Sequence, residues 1–474
     1  MVEEEGGFRD SISTIQESGN RVWLYPKKPK GNYYTWRKYV AALLVVLLFA
    51  APLVHINGRQ FILLNVAERK FHIFGQPFWP QDFHLLVLLM VIGVIFVSLF
   101  TVAYGRIFCG WICPQTIFLE MIFRPLEYLI EGDRNAQKRL NSQPWTGDKI
   151  RKKALKWVLY YLISILISIV FMCYFMGSKV VLLHLKSPMT YTTTTLFLLI
   201  FSAVFYFVFA WFREQVCVIA CPYGRLQGVL LDKDSVVVAY DHVRGEKEKG
   251  RGKINRKEDR TQSGKGDCID CKLCVDVCPT GIDIRNGTQL ECVNCTACID
   301  ACNEVMQKVQ LPTHLIRYAS LQQIEQRSSF RWTNRLKAYT VLLSVLMGVF
   351  VFLVLSRSDL ETGLFRIPGQ LYSLNEETKT LQNVFAFKIV NKTTEPLDSL
   401  SFKLINQDEG IIYTVNKKMF YLKPEEILDG TVFIELPMHA WSRKPQKLQV
   451  GIYHQNKLLD KTAVRFTGPR TYRK

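Results

Sequence analysis

Five stretches of this chain are long enough, and free enough of charge, to cross a hydrocarbon core of about 30 Å, which takes roughly 17 to 25 helical residues. They run from about Tyr39 to Ile56, Leu85 to Ala103, Trp157 to Met176, Leu196 to Phe212 and Ala338 to Leu355. In lipid every backbone polar group has to be satisfied internally, so such runs specify spanning helices. The first is not a cleavable signal sequence: 38 residues precede it, with an acidic cluster at Glu3, Glu4 and Glu5, and no small-residue cleavage site follows. The expectation is an α-helical bundle of about five transmembrane helices, and a soluble single-domain enzyme is excluded.

Lys and Arg in the connecting loops orient the spans. Arg21, Lys27, Lys28, Lys30, Arg37 and Lys38 precede the first, whereas only Arg59, Arg69 and Lys70 follow it. Ten basic residues between Arg106 and Lys156 follow the second span, but only Lys179 and Lys186 follow the third. This alternation puts the amino terminus and residues 213–337 in the cytoplasm and everything after Ser356 outside. The chain has 60 Lys plus Arg against 41 Asp plus Glu, a net charge of +19. Most of that excess is topological, so no nucleic-acid partner is expected. Trp36, Trp79, Trp157 and Trp211 fall near span ends, where amphipathic rings favour the interface.

The remaining segments follow. Residues 1–38 form a cytoplasmic N-terminal segment, and 39–225 a transmembrane domain with four spans. Residues 226–266 read as a basic linker, being rich in Lys, Arg and Gly between Arg244 and Lys265. A ferredoxin domain over 267–310, a connector over 311–337 and a fifth helix over 338–356 come next. Beyond 356 the pattern changes to short alternating runs: Val384–Val390, Leu400–Ile405, Ile411–Val415, Thr431–Leu436, Leu448–Ile452 and Thr462–Phe466. Strands of this kind close as an all-β sandwich over 357–474, which carries no cysteine and reads as a docking or structural domain.

Twelve of the 13 cysteines fall in four tight clusters, which is metal chemistry rather than a disulfide framework. Cys268, Cys271, Cys274 and Cys278, followed by Pro279, are spaced C-x2-C-x2-C-x3-C-P, and Cys292, Cys295, Cys298 and Cys302 repeat the spacing. That is the bacterial ferredoxin pattern, in which three thiolates of one motif and the last thiolate of the other hold each cluster. One 4Fe–4S cluster is therefore expected on Cys268, Cys271, Cys274 and Cys302, and a second on Cys292, Cys295, Cys298 and Cys278. Zinc ribbons, which pair two-cysteine knuckles across a longer gap, fit this arrangement poorly.

Cys109 and Cys113 before Pro114, and Cys217 and Cys221 before Pro222, form two C-x3-C-P motifs at equivalent span ends. On a helix, positions i and i+4 share a face, and the proline is expected to end or bend the helix just beyond. Two such pairs can converge on one metal, and thiolates select copper(I), zinc or iron–sulfur clusters. The competing reading is small residues lining helix contacts. Cys173 reads as packing inside the third span, and His55, His72, His84 and His184 as interfacial residues on the outer side.

The stretches Arg106 to Phe118 (RIFCGWICPQTIF), Glu214 to Gln227 (EQVCVIACPYGRLQ), Tyr240 to Gly245 (YDHVRG), Gly266 to Gly287 and Glu291 to Met306 closely resemble the CcoG family of cytochrome c oxidase accessory proteins, also called FixG or RdxA. The resemblance implies a multi-pass bacterial inner-membrane protein that reduces Cu(II) to Cu(I) for assembly of a cbb-type oxidase, with copper as substrate or transient ligand. It implies an immunoglobulin-like outer sandwich, and it assigns the copper chemistry to Cys109, Cys113, Cys217 and Cys221. Expected partners are membrane lipid, a cytoplasmic electron donor, a copper chaperone and cbb-type oxidase subunits; whether the chain forms a homo-oligomer stays open. Two rivals remain: a general electron-transfer subunit to quinone or a partner reductase, and an oxidase-assembly scaffold or redox sensor.

Overall fold

In a computed structural model, the structure describes the chain from Thr14 to Pro469 except residues 16, 17, 19, 57, 69, 79–81, 254–263, 357–359, 370, 394, 408, 415–419, 425, 442, 443 and 456. Trp79 and the middle of the basic segment lie outside the described residues. The chain forms two compact units, residues 1–350 and 351–474.

Among the described residues of the chain, six helices are long and apolar enough to cross a membrane. Five correspond to the expected spans with shifted ends. Helix α1 (Asn32–Ala50) starts before Tyr39 and ends at Ala50, two residues before Pro52. Helix α2 is Phe83–Tyr104. The additional segment, Ile107–Ile130, was not among the expected spans. It is a composite of α3 (Ile107–Trp111), α4 (Pro114–Ile117), a π-helical stretch over Phe118–Phe123 and α5 (Arg124–Ile130). Both of its ends meet the ferredoxin loops: Arg106 donates to the Leu290 carbonyl, and Arg124 donates to the Pro279 carbonyl at 3.3 Å. The segment therefore enters and returns on one side.

Helix α6 (Arg134–Ser142) leads into α7 (Gly147–Met176), whose 30 residues, about 45 Å long at 1.5 Å per residue, open with a capping Thr146 that accepts from the Lys149 amide. Its charged residues all precede Trp157. Helices α8 (Ser178–Lys186) and α9 (Thr192–Phe207) follow, and α9 continues as a π-helical turn to Phe212. Between α1 and α2 the chain makes a β1–β2 hairpin (His55–Ile56, Arg59–Gln60) and an antiparallel sheet of β3 (Ile62–Asn65), β4 (Lys70–Ile73) and β5 (Gln76–Phe78). The Gln60 amide donates to the Cys173 carbonyl and accepts from the Ser178 amide, fixing this cap to the α7–α8 junction. Cys173 is buried there, in keeping with packing.

The stretch 226–266 is not wholly a linker. Helix α10 (Pro222–Leu230) runs into it, and β6 (Val237–Tyr240) pairs antiparallel with β7 (Ile316–Ala319), with Val237 opposite Ala319. This ribbon brackets the cysteine motifs, so the ferredoxin fold begins before residue 267 and ends after 310.

The second unit is a two-sheet sandwich. One sheet has the order β12–β14–β10–β8, with β9 also on β10, and the other β13–β11–β15–β16. The strands are β8 (Leu360–Arg366), β9 (Ser373–Asn375), β10 (Thr380–Asn391), β11 (Leu397–Leu404), β12 (Ile411–Thr414), β13 (Phe420–Leu422), β14 (Ile427–Pro437), β15 (Gln446–His454) and β16 (Lys457–Phe466). Alternate residues such as Phe385, Phe387 and Ile389 from one sheet, and Val450 and Ile452 from the other, fill the core. The six expected strands are present and mostly longer, while β8, β9 and β13 carry no strong alternation in sequence.

Candidate metal centre

The two ferredoxin motifs repeat in backbone as well as in sequence. Asp270 and Lys272 of the first, and Asn294 and Thr296 of the second, all adopt left-handed φ values of 53 to 64°. These turns wrap each cysteine triplet before a short helix, Leu273–Asp276 or Ala297–Lys308. The structure gathers Cys268, Cys271, Cys274 and Cys302 around one small cavity. A second is lined by Cys278, Cys292, Cys295 and Cys298, with Cys274 in its wall. The rest of each lining is largely apolar. Among the described residues, no three His, Cys, Asp or Glu side chains are drawn up as for one metal ion. Thiols set around a shared space suit a cubane of iron and sulfide better than a single zinc, so the residues present fit 4Fe–4S clusters.

Burial pushes the Cys274, Cys292 and Cys302 thiols up to about 12, and neighbouring thiols add to the rise. Iron must therefore displace protons from them. Arg285 clamps the first loop, with its guanidinium bonded to Asp270 at 2.5 Å and to Asp283 at 2.6 Å.

The C-x3-C-P motifs are built alike, but not as continuous helices. After α2, Gly105 turns the chain with φ 57°; after the α9 segment, Arg213 does so with φ 52°. Cys109 lies within α3 and Cys217 within a further π-helical turn, Val216–Ala220. The second cysteine of each pair has left the helix. Cys113 (ψ 124°) and Cys221 (ψ 108°) are extended and cap α4 and α10, where Pro114 and Pro222 occupy the first turn. The proline thus starts a helix rather than ending one. Each second cysteine bonds its amide five residues back, Cys113 to the Phe108 carbonyl and Cys221 to the Val216 carbonyl, at 2.9 and 2.8 Å.

The two motifs converge. Cys217 has Cys113, Cys109 and Cys221 as electrostatic neighbours, and burial first and those thiols second push it up to about 12. Cys109 packs with Val293, Cys295 and Ala297 of the ferredoxin, and Cys217 and Tyr223 lie against the same cluster. Gln227 joins the groups: its Oε1 accepts from Cys109 Sγ at 3.2 Å and from Arg106 Nε at 2.7 Å. Arg37 of α1 closes the junction, donating to the Gly110 carbonyl at 3.1 Å and the Cys295 carbonyl at 3.0 Å. Asp300 accepts from the Tyr33 and Tyr34 amides, tying the start of α1 to the ferredoxin helix.

Beside this junction is a buried charge network. Arg124 pairs with Glu120 at 2.9 Å and Glu214 at 3.3 Å, and Arg213 grips Glu127 with two hydrogen bonds of 3.1 and 2.9 Å. Burying so many charges is tolerable only because each is paired and hydrogen-bonded. Arg37, Gln227, Arg124 and Glu214 had no individual signal in the sequence; the basic residues preceding the two motifs, Arg106 and Arg213, were the nearest hint. Of the histidines, His72 is buried in β4, and His184 stacks on Tyr191 with ring centroids 3.7 Å apart.

The comparisons agree with this architecture. Residues 212–321 match a 4Fe–4S dicluster domain, residues 83–135 a 4Fe–4S binding domain, and residues 350–469 the immunoglobulin-like fold at the C-terminus of FixG. The chain is 34% identical to protein RdxA of Cereibacter sphaeroides, over 79% of this chain and 81% of that one. It is 33% identical to protein RdxB of the same organism, over 79% and 80%. It is also 36% identical to the nitrogen fixation protein FixG of Rhizobium meliloti, over 63% of this chain and 57% of that one. With a helical membrane domain, a two-motif ferredoxin and a C-terminal sandwich in this order, the chain belongs to the FixG/RdxA family of iron–sulfur redox proteins.

Proposed function

We propose that this protein is a cupric reductase of the bacterial inner membrane, supplying Cu(I) for assembly of a cbb-type cytochrome c oxidase. In this reading one 4Fe–4S cluster is held by Cys268, Cys271, Cys274 and Cys302, and the other by Cys278, Cys292, Cys295 and Cys298. Bound there, the clusters supply one-electron transfer, which suits the one-electron step from Cu(II) to Cu(I). Copper enters as substrate at Cys109, Cys113, Cys217 and Cys221, whose sulfurs favour the Cu(I) state.

The observation that carries the reading is the packing of Cys109 on Val293 and Cys295, which leaves the membrane-edge thiols one residue layer from the second motif. Arg37 and Gly110 maintain that approach, and the Cys109–Gln227–Arg106 bridge orients the first thiol. The ferredoxin and these thiols are assigned to the cytoplasmic side and the sandwich to the periplasmic side by the loop charges. Cu(I) then passes to a chaperone or to the oxidase.

The test compares the full-length wild type with a variant in which Cys109, Cys113, Cys217 and Cys221 are all changed to Ser. Both are reduced anaerobically, freed of reductant and mixed with Cu(II), and Cu(I) is read with a chelating dye. The reading expects unchanged visible cluster absorption in the variant with Cu(I) formation largely abolished. Equal Cu(I) yield from both proteins overturns the assignment of copper to these thiols.

A further inference from the structure

A cavity of about 720 Å³ opens between α5, α6, α7 and the end of α9. Its depth is set by sequence: α7 carries its last charge at Lys156 and turns apolar at Trp157, while the α9 segment is uncharged through Trp211 and meets its first charge at Arg213. Those four residues all line the cavity, which therefore lies at the level where hydrocarbon gives way to polar head groups. One end of it is apolar, and there Trp157, Phe207 and Trp211 stay exposed, which leaves the cavity open to lipid.

The charges decide what it can hold. Lys149, Lys153, Lys156 and Arg213 line it against only two carboxylates, Glu127 and Glu131, a surplus of two positive charges. Glu131 is shared by Lys153 at 2.9 Å and Lys156 at 2.7 Å, and Glu127 accepts two hydrogen bonds from Arg213. In the layer behind, Arg21 and Arg124 face Glu120 and Glu214, so the surplus is not cancelled there. Lys149 meets no carboxylate among the described residues. It donates to the Asn141 and Gln143 carbonyls at 3.0 and 2.6 Å, and an ammonium group has three donors, so one is left for a ligand oxygen.

An ammonium group on the ligand has no place here. Both carboxylates are taken, and cations of the chain already lie over the aromatic rings: Lys149 is 5.1 Å from the Trp145 ring centre, and the Arg21 guanidinium 4.0 and 5.3 Å from those of Trp23 and Trp211. A choline or ethanolamine head group would meet only the positive surplus. We propose that this cavity binds an anionic glycerophospholipid whose head group carries no ammonium. Its phosphate sits on Lys149, and its chains leave past Trp157, Phe207 and Trp211. A lipid seated in this way bridges the α6–α7 turn and the end of α9, the segment that leads into the second C-x3-C-P motif. The site stands whether or not the four thiols of those motifs take copper.

The experiment washes full-length, cluster-loaded protein free of lipid in dodecyl maltoside and offers it equal amounts of phosphatidylglycerol and phosphatidylcholine. Native mass spectrometry counts the lipids retained. The wild type should keep one phosphatidylglycerol, in about tenfold preference to phosphatidylcholine, and Lys149→Gln should lose that preference. Lys149→Arg should keep it. Arg151→Gln, which removes an exposed charge of the same helix outside the cavity, should match the wild type. Visible cluster absorption shows that each variant is folded; if Lys149→Gln has lost it, the exposed-site variant Trp145→Leu decides, with retention about threefold weaker. Equal retention of the two lipids, or a preference left intact in the folded lining variant, overturns the proposal. So does inorganic phosphate that is retained by itself as a single ion and excludes phosphatidylglycerol, because the cavity then serves a free anion.

Discussion

The α-carbon of Gly110, between the cysteines of the first C-x3-C-P motif, rests on the backbone of Val293, between cysteines of the second ferredoxin motif. A β-carbon at position 110 would stand 2.5 Å from the Val293 carbonyl oxygen and 2.7 Å from that of Asn294. Backbone cannot yield as a flexible side chain can, so only glycine permits this approach. Gly110→Ala should push the motif off the ferredoxin at a cost of about 1–3 kcal/mol. The expected outcome is visible cluster absorption as in the wild type, faster hydrogen exchange in residues 290–296, and reduced Cu(I) yield. Normal exchange and normal yield would show that the contact is dispensable.

Arg37 is buried in α1 and holds both sides of that contact through the Gly110 and Cys295 carbonyls. Removing a charged donor and leaving two buried acceptors should cost ~2–3 kcal/mol in Arg37→Gln. The neighbouring exposed Lys38→Gln should stay within about 0.5 kcal/mol of the wild type. Denaturant-induced loss of cluster absorption measures both.

Asp283 holds Arg285, which also bonds Asp270 in the first cysteine loop. Burial raises its carboxyl, but the Arg285 guanidinium outweighs this and holds it below its ordinary value of 3.8. A depressed carboxyl contributes stability that is present above the unfolded value and lost as pH falls through the folded one. The wild type should therefore lose cluster absorption progressively below about pH 4, and Arg285→Ala should show a lower stability at pH 7 with a flatter acid limb. An unchanged acid limb would mean that the pair contributes nothing to the fold.

The raised thiols make cluster assembly proton-linked. Cys274, Cys292 and Cys302, each at about 12 when buried without iron, are protonated at neutral pH and must lose that proton to bind. Each unit of pH removed disfavours loading by about 1.4 kcal/mol per displaced proton. Chemical reconstitution of the apoprotein at pH 6 should incorporate much less iron than at pH 8 at the same free iron and sulfide. Equal incorporation would show that the thiols ionise before iron arrives.

Much of this architecture is legible from periodicity and spacing. The apolar runs locate the spans because lipid demands them, and the cysteine motifs locate the ferredoxin because iron demands them. What stays hidden depends on long-range pairing. The Ile107–Ile130 segment contains Glu120, Arg124 and Glu127, which make it read as a polar loop; in the fold, Arg124 meets Glu214 from 90 residues away and the charges cancel. The strand Val237–Tyr240 sits in a basic, glycine-containing stretch, and only its pairing with Ile316–Ala319 fixes it. The role of Gly110 is likewise invisible, because its partner is backbone and backbone has no sequence signature. The convergence of Cys109, Cys113, Cys217 and Cys221 was suggested by matched motifs, but the departure of Cys113 and Cys221 from their helices depends on turns at Gly105 and Arg213.

The most direct test of the central claim is an anaerobic titration of dithionite-reduced, desalted wild-type protein with Cu(II), following cluster absorption and Cu(I)–dye absorption in the same cuvette. The account predicts that the clusters reoxidise in step with Cu(I) formation, to a limit of about two Cu(I) per chain, one electron from each cluster. Clusters that stay reduced while Cu(II) accumulates, with no Cu(I) formed, would contradict it.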